Sequence, residues 1–263
     1  MDMTPVPVAL STSCVYPDGT TTAFELARDG GFDGIELMVG LDPVAEDIDA
    51  VERLRDHFGV VVVSVHAPTL LATQNVWGSD PWGKLEMSAH AARRLGADTV
   101  VVHPPFRWQG RYGNGFVDGI ARLNAETGIR FCVENMYPWR VPGTGGEFKA
   151  YLPTWDPSLQ PYEHLTLDLS HASTARQNSR ELVAAWGDRL RHLHLTDGSG
   201  SFADEHLAPG EGDQDAAGVL SDLARAGFDG HIVLEVSTRG KSRDDRMARL
   251  IDARDFTRRH FRP

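Results

Sequence analysis

The sequence predicts a single (β/α)8 barrel, in which eight parallel strands alternate with helices and close into a ring. Eight short runs rich in Val, Ile and Leu recur along the chain and alternate with segments of helical pattern. These runs show little polar alternation, which is typical of parallel strands buried on both faces. The length of 263 residues suits one such barrel, since about 250 residues are usual.

The elements follow one another in strand-then-helix order along the whole chain. Proline favours the first turn of a helix and glycine the position after its end, as at Pro43 and Gly59. The strands are predicted at residues 6–13, 34–39, 61–66, 98–103, 129–134, 164–170, 190–196 and 231–236. The helices are predicted at residues 20–28, 43–58, 83–95, 116–126, 181–186, 214–226 and 242–259, with one short helix inside the loop 136–157.

The long loops follow the third, fourth, fifth and seventh strands. In a barrel these loops lie on the face formed by the carboxyl ends of the strands, where active sites are found. Long loops gathered on one face are themselves a sign of a functional site. Because the chain has no low-complexity segment or linker, we expect residues 1–263 to form one domain.

The composition restricts the partners. The net charge of −11 disfavours non-specific binding to nucleic acid or anionic membranes, although it does not exclude a local basic groove. No apolar run approaches the length of a membrane span, and the amino terminus does not resemble a signal peptide, so we expect a cytoplasmic protein. Cys14 and Cys132 are predicted to be small buried residues. The sequence carries no signal for a particular oligomeric state.

Side chains that commonly bind metals gather at the predicted carboxyl ends of the strands. Because these ends meet at one face of a barrel, we expect the side chains to converge. The candidates are His66, His103, Glu134, Asp168, His171, His194 and Glu235, with Asp204 and His206 from the loop after the seventh strand. Imidazoles and carboxylates without thiolates suit a divalent metal. We therefore predict a site for one to three ions of zinc, manganese, magnesium or cobalt.

Two spacings refine this metal site. Asp168 and His171 are three residues apart at one strand end, so both could reach the same ion. His192 and His194 alternate along the seventh strand and share a face. We take His194, which is nearer the carboxyl end, as the ligand and expect His192 to lie deeper in the barrel.

The chain resembles the xylose-isomerase-like barrel superfamily, which includes sugar isomerases and epimerases, inosose dehydratases and endonuclease IV. The resemblance rests on motifs that occur in the family's order across nearly the whole sequence. They are GFDGIEL (31–37), VHAP (65–68), VVHP (101–104), VEN (133–135), DLSH (168–171), HLHLTD (192–197), PGEG (209–212) and LEV (234–236). The resemblance implies the same barrel and a metal site.

The epimerase pattern of this superfamily falls on four residues. It implies that Glu134, Asp168, His194 and Glu235 bind one metal, that His171 lies near the substrate, and that the two glutamates are the acid–base pair. We therefore predict a divalent-metal-dependent isomerase or epimerase. Its substrate would be a small sugar, sugar phosphate or polyol, which reacts by proton transfer through a metal-stabilised enediolate. None of the three lysines stands at a strand end, which disfavours a hydride-shift aldose isomerase.

Two alternatives share the same residues. The endonuclease IV pattern implies that all nine candidates bind three zinc ions and cleave abasic DNA. An inosose-type dehydratase would use the same metal chemistry and then lose water. Basic and aromatic residues in the long loops suit either a sugar or a nucleic acid. The predicted substrate-binding residues are His66, His171, Glu36, Arg107, Trp108 and Trp139.

Overall fold

The strands form a closed, eight-stranded parallel barrel, as predicted. The computed structural model describes residues 7–40, 42–69, 71–140 and 146–262. The strands in these ranges are β1 (Val8–Ser11), β2 (Gly34–Met38), β3 (Val62–His66), β4 (Thr99–Val102), β5 (Arg130–Glu134), β6 (Trp139–Arg140), β7 (Glu147–Phe148), β8 (Leu165–Asp168), β9 (Leu190–Leu195) and β10 (His231–Leu234). The barrel order is β1-β10-β9-β8-β5-β4-β3-β2, and β6 and β7 form a separate antiparallel pair.

Helices follow the barrel strands and cover the outside of the ring. They are α1 (Thr20–Asp29), α2 (Pro43–Glu46), α3 (Ile48–Phe58), α4 (Pro81–Leu95), α5 (Gly110–Asn114), α6 (Phe116–Thr127), α7 (Leu169–Ala175), α8 (Ser179–Trp186), α9 (Ala216–Ala226) and α10 (Arg243–His260). None of the helices in the described ranges is both long enough and apolar enough to cross a membrane.

Each barrel strand divides its side chains between two environments. On β9, Leu193 and Leu195 belong to the large apolar core, whereas His192 and His194, which alternate with them, do not. The ring of His192 reaches Glu36 of β2 at 2.9 Å, although β1 and β10 separate these two strands in the barrel order. The contact therefore runs through the interior of the barrel. On β9 the histidines therefore point inwards and the leucines pack outwards, while Ala9, Val63 and Val233 form a small apolar cluster of their own.

Aspartates end or divide several predicted elements. The predicted helix 43–58 is in fact two helices, because Asp47 leaves the helical conformation and its side chain accepts a hydrogen bond from the N–H of Ala50. The predicted strand 164–170 ends at Asp168, whose side chain caps α7 through the N–H of His171 at 2.7 Å. His171 consequently lies in the first turn of a helix. The predicted first strand, 6–13, ends at Ser11, and Val6 lies outside the described residues.

Two loops contain elements other than those predicted. The described part of the loop 136–157 contains the antiparallel pair β6 and β7 instead of a short helix. The loop after β4 contains the short helix α5, which the glycines around Tyr112 had concealed in the sequence. Both cysteines are free and buried, as predicted.

Candidate active site

The four residues of the predicted single-metal site converge at the carboxyl end of the barrel. His194 Nδ1 lies 2.9 Å from an oxygen of Glu235, 3.2 Å from one of Glu134 and 3.6 Å from one of Asp168. These side chains come from β5, β8, β9 and the residue just after β10. All four are at most 7% exposed. The barrel therefore brings three carboxylates and one imidazole to a single buried point.

One oxygen of Asp168 tests whether this point suits a cation. Its Oδ1 accepts the hydrogen bond that caps α7. Its Oδ2 is buried and has no hydrogen-bond partner among the described residues. A buried carboxylate oxygen without a donor is costly unless a cation or proton satisfies it. Together with the donor set of carboxylates and imidazole, this oxygen fits a divalent metal.

Asn135 holds Asp168 in place from the neighbouring strand. Its side-chain oxygen accepts from the N–H of Asp168 at 2.7 Å, and its side-chain NH2 donates to the Asp168 carbonyl at 3.0 Å. These paired hydrogen bonds fix the distance between the ends of β5 and β8. The VEN motif of the sequence contains Asn135, but its position after the predicted strand did not reveal this role.

The second oxygen of Glu134 faces two more of the predicted ligands. Glu134 Oε2 lies 3.3 Å from His66 Nε2 and 3.0 Å from His103 Nε2. Its Oε1 faces His171 Nδ1 at 3.1 Å as well as His194. Glu134 therefore stands between two groups of imidazoles, and one ligand atom from each of Glu134, His66 and His103 lies close enough for one ion.

The remaining predicted ligands form a third group on the rim. Asp204 Oδ2 lies 3.2 Å from His171 Nε2 and 2.9 Å from His206 Nε2. The other oxygen of Asp204 accepts from Ser170 Oγ at 2.6 Å. Asp204, His171 and His206 each offer a ligand atom, and these atoms lie close enough together to hold one ion. The structure therefore brings all nine candidates together in three adjoining groups.

In the metal-free protein, buried imidazoles and carboxylates balance one another's charge. Burial lowers the pKa of His194, but the carboxylates of Glu235, Glu36 and Glu134 outweigh burial and raise that pKa well above its ordinary value. Conversely, burial raises the pKa of Glu134, but the charges of His194 and His103 hold it well below its ordinary value. The positive charge of His194 and the negative charge of the carboxylates thus offset one another inside the site.

Glu36 lies in a polar layer beneath these ligands. Its two oxygens face His194 Nε2 at 3.0 Å and His192 Nε2 at 2.9 Å, and Ser64 Oγ donates to it at 2.8 Å. His192 lies deeper than His194, as expected. Glu36 is fully buried and does not line the cavity above. Glu36 thus contacts the His194 ring from below, and its predicted contact with substrate stays a prediction.

A cavity of about 360 Å³ opens above the ligands. His66, His171 and Trp139, three of the predicted substrate-binding residues, line it. Its apolar wall was not predicted from the sequence, because the contributing residues come from the end of β2 and from the loops after β4 and β5. It consists of Met38, Phe106, Met136, Tyr137 and Tyr151. A cavity of this size with an apolar wall and few polar groups is typical of a small-molecule site.

The other two predicted substrate-binding residues lie elsewhere. Trp108 stacks on Phe106 with ring centroids 4.7 Å apart, is 52% exposed, and lines a neighbouring cavity instead. Arg107 is exposed and lines neither cavity. Because a 3-10 turn spans residues 107–109, the side chains of this loop point in different directions, and their spacing alone does not give their orientation.

Residues 24–260 match the sequence profile of the xylose isomerase-like TIM barrel family, and the chain belongs to that family. An uncharacterized protein of Mycobacterium leprae (strain TN) is 47% identical over 274 residues, covering 97% of this chain and 98% of the relative. Fructoselysine 3-epimerase of Escherichia coli O157:H7 is 38% identical over 52 residues, covering 20% of this chain and 18% of the relative.

Solved structures with the same fold include sugar epimerases and an AP endonuclease. A D-tagatose 3-epimerase-like protein has a TM-score of 0.67 and 22% identity, covering 96% of this chain and 97% of the other. AP endonuclease, family 2, from Brucella melitensis has a TM-score of 0.68 and 18% identity, covering 90% of this chain and 95% of the other. At these identities the similarity establishes the fold.

Proposed function

We propose that the protein is a divalent-metal-dependent isomerase or epimerase of a small keto sugar, sugar phosphate or polyol. The observation that carries this proposal is the convergence of Glu134, Asp168 and Glu235 on His194 at the base of the cavity. The sugar epimerases among the proteins of the same fold support it. The metal would be zinc, manganese, magnesium or cobalt.

The proposed chemistry assigns separate roles to the side chains. Glu134, Asp168, His194 and Glu235 would hold the metal, which would supply a Lewis acid that polarises the substrate carbonyl. Glu134 and Glu235 both line the cavity, so each carboxylate can exchange a proton with a carbon held there. Ser13 Oγ donates to Glu235 Oε1 at 3.1 Å and would orient that carboxylate.

The apolar wall would exclude water and select the substrate. Trp139, Phe106 and Tyr151 present ring surfaces that can pack against the C–H faces of a sugar. His66 and His171 also line the cavity and can bind hydroxyl groups. A dry site strengthens the electrostatic effect of the carboxylates on the reacting carbon.

Proton exchange with solvent tests the proposal directly. The protein, loaded in turn with each of the four metals, is incubated in D2O with a panel of ketoses, ketose phosphates and inososes, and NMR follows deuterium at the carbon beside the carbonyl. We expect deuterium incorporation with one substrate class, and its loss in Glu235→Gln but not in the exposed control Glu181→Gln. Loss of water from an inosose would identify a dehydratase instead. No exchange with any metal would overturn the proposal.

A second candidate is a phosphodiesterase with three metal ions, acting on abasic DNA. The observation that favours it is the presence of two further groups, one on Glu134 with His66 and His103, the other of His171, Asp204 and His206. Clustered ions could stabilise both the attacking and the leaving oxygen of a phosphodiester. Metal analysis separates the candidates: stoichiometric binding of about three zinc ions with cleavage of an abasic duplex would favour this reading.

A further inference from the structure

A second cavity, of about 330 Å³, adjoins the first behind His103, which lines both. The loops after β3 and β4 and the start of α4 enclose it. The first cavity is lined by the carboxylates of Glu134, Asp204 and Glu235. The second has no carboxylate among its described lining residues, and its charged side chain is Lys84. The two cavities therefore differ in the sign of the charge that they favour.

Lys84 is a buried cation with no counter-ion among the described residues. It is 6% exposed, and within the described ranges no carboxylate lies at ion-pair distance from its amine. Its Nζ donates to the carbonyls of Thr73 at 2.6 Å and Pro68 at 3.5 Å. An ammonium has three N–H donors, so one remains for a group inside the cavity. Burial lowers the pKa of Lys84, which an anion beside it would reverse.

Tyr112 supplies a second hydrogen-bond donor beside this cavity. It is 6% exposed and lines the cavity, and its hydroxyl has no hydrogen-bond partner among the described residues. Its ring packs edge-on against Trp82 and Phe116, with centroids 4.8 and 5.5 Å away. The packing holds the hydroxyl in place, so it cannot turn away to find a partner. Buried hydroxyl groups are normally hydrogen-bonded, so the Tyr112 hydroxyl is available to donate to an acceptor on a ligand.

We propose that the second cavity binds an anionic group, a carboxylate or a phosphate, of the substrate whose carbonyl end reacts in the first cavity. Lys84 supplies the charge and Tyr112 a hydrogen bond, and the substrate passes the His103 ring. This inference rests on the proposed function and narrows it to keto sugars or keto polyols that carry an anionic group. The exposed ring of Trp108 at the edge of the cavity would cover the connecting part of the substrate.

Calorimetric titration with inorganic phosphate and with malonate tests the site on the full chain after chelator treatment, which removes metal-bound anions from the measurement. We expect one anion site in the millimolar range. Lys84→Met should weaken it by about tenfold or more, whereas the control Lys241→Met removes an exposed charge and should leave it unchanged. Whichever probe binds more tightly identifies the class of anion.

Tyr112→Phe keeps the test decisive if Lys84→Met fails to fold, since the lysine also holds two loop carbonyls. The Tyr112 hydroxyl has no hydrogen-bond partner among the described residues, so its removal should leave the melting temperature unchanged or higher. The affinity for the anion should fall by about threefold to tenfold. The anion site would be overturned if neither probe bound the unaltered chain. It would also be overturned if Lys84→Met and Tyr112→Phe both bound the probes as tightly as the unaltered chain.

Activity measurements distinguish this inference from the proposed function. Exchange on neutral ketoses as fast as on their phosphates and acids, without anion binding, would overturn the second-cavity site and leave the proposed function standing. Anion binding without exchange on any substrate would overturn the proposed function and the link between the cavities. With both correct, Lys84→Met should raise KM for the anionic substrate and leave KM for its neutral counterpart unchanged.

Discussion

Asp168 illustrates how a single side chain serves both the fold and the site. One oxygen caps α7, and the other is buried with no hydrogen-bond partner among the described residues. We expect Asp168→Asn to retain the cap, because asparagine is an equally good capping residue, but to lose most metal affinity. Asp168→Ala should also lose most metal affinity, and the loss of the cap should lower the free energy of unfolding by about 1 kcal/mol. Thermal unfolding of both chelator-treated variants, with metal titration, would check this; equal metal binding by Asp168→Asn would contradict it.

The raised pKa of His194 predicts that metal binding releases protons. A histidine binds a metal through a neutral imidazole. Here burial lowers the pKa of His194, but the carboxylates of Glu235, Glu36 and Glu134 outweigh burial and favour the protonated ring. In the metal-free protein, that pairing stabilises the fold below the ordinary histidine pKa of about 6.5 and is lost as pH rises through the raised value. Metal competes with these protons, so its affinity should rise with pH.

Calorimetric titration of Mn²⁺ at several pH values, in pairs of buffers with different heats of ionisation, measures the protons released. We expect release in the neutral range and weaker binding as pH falls. Binding that is independent of pH and releases no protons would contradict the assigned role of His194.

At the level of single residues, the sequence predicted the convergence of the candidate ligands better than the contacts around them. The candidates at the strand ends lie together because the carboxyl ends of parallel barrel strands share one face, and the loop after β9 brings Asp204 and His206 to the same face. The position of Glu36 below the cavity was not predicted, because strand periodicity does not give depth within the barrel. The Ser13 and Asn135 contacts join distant parts of the chain, so spacing could not reveal them.

At the level of elements, one close helix contact carries a sharp prediction. Gly119 of α6 faces the Trp82 ring of α4, and a Cβ there would lie 1.9 Å from a ring carbon. Gly119→Ala should therefore destabilise the fold by about 1–3 kcal/mol despite the better helix propensity of alanine. Ala121→Ser, exposed on the same helix, should change stability by less than about 0.5 kcal/mol. Urea unfolding measures both, and a more stable Gly119→Ala would contradict this packing.

The strength of an element's apolar pattern explains whether the sequence predicts that element. Barrel strands and covering helices show strong apolar patterns because they pack on both sides, and all were predicted within a few residues. Short elements depend on single capping groups and on contacts across loops. The break at Asp47, the helix α7 after Asp168 and the β6–β7 pair each follow such local hydrogen bonds, which apolar periodicity does not register.

At the level of the whole molecule, the site depends on barrel closure. The proposed ligands Glu134, Asp168 and His194 come from three successive barrel strands, and Glu235 follows β10, next to the strand that closes the ring. Below them, Glu36 of β2 meets His192 of β9 across the interior. A metal at this point would add a further link between barrel strands that already pair side by side. Metal binding and global stability should therefore be coupled.

This coupling gives a prediction for the intact protein. A ligand that binds only the folded state adds about 2.7 kcal/mol at a concentration one hundred times its dissociation constant. For a chain of this size, that corresponds to a rise in melting temperature of about 5–10 °C. The rise should be reversed by chelator and absent in Asp168→Asn, whose retained cap keeps the comparison fair. An equal rise in that variant would place the stabilising ion elsewhere, in the groups around His103 or Asp204, and would favour the three-metal reading.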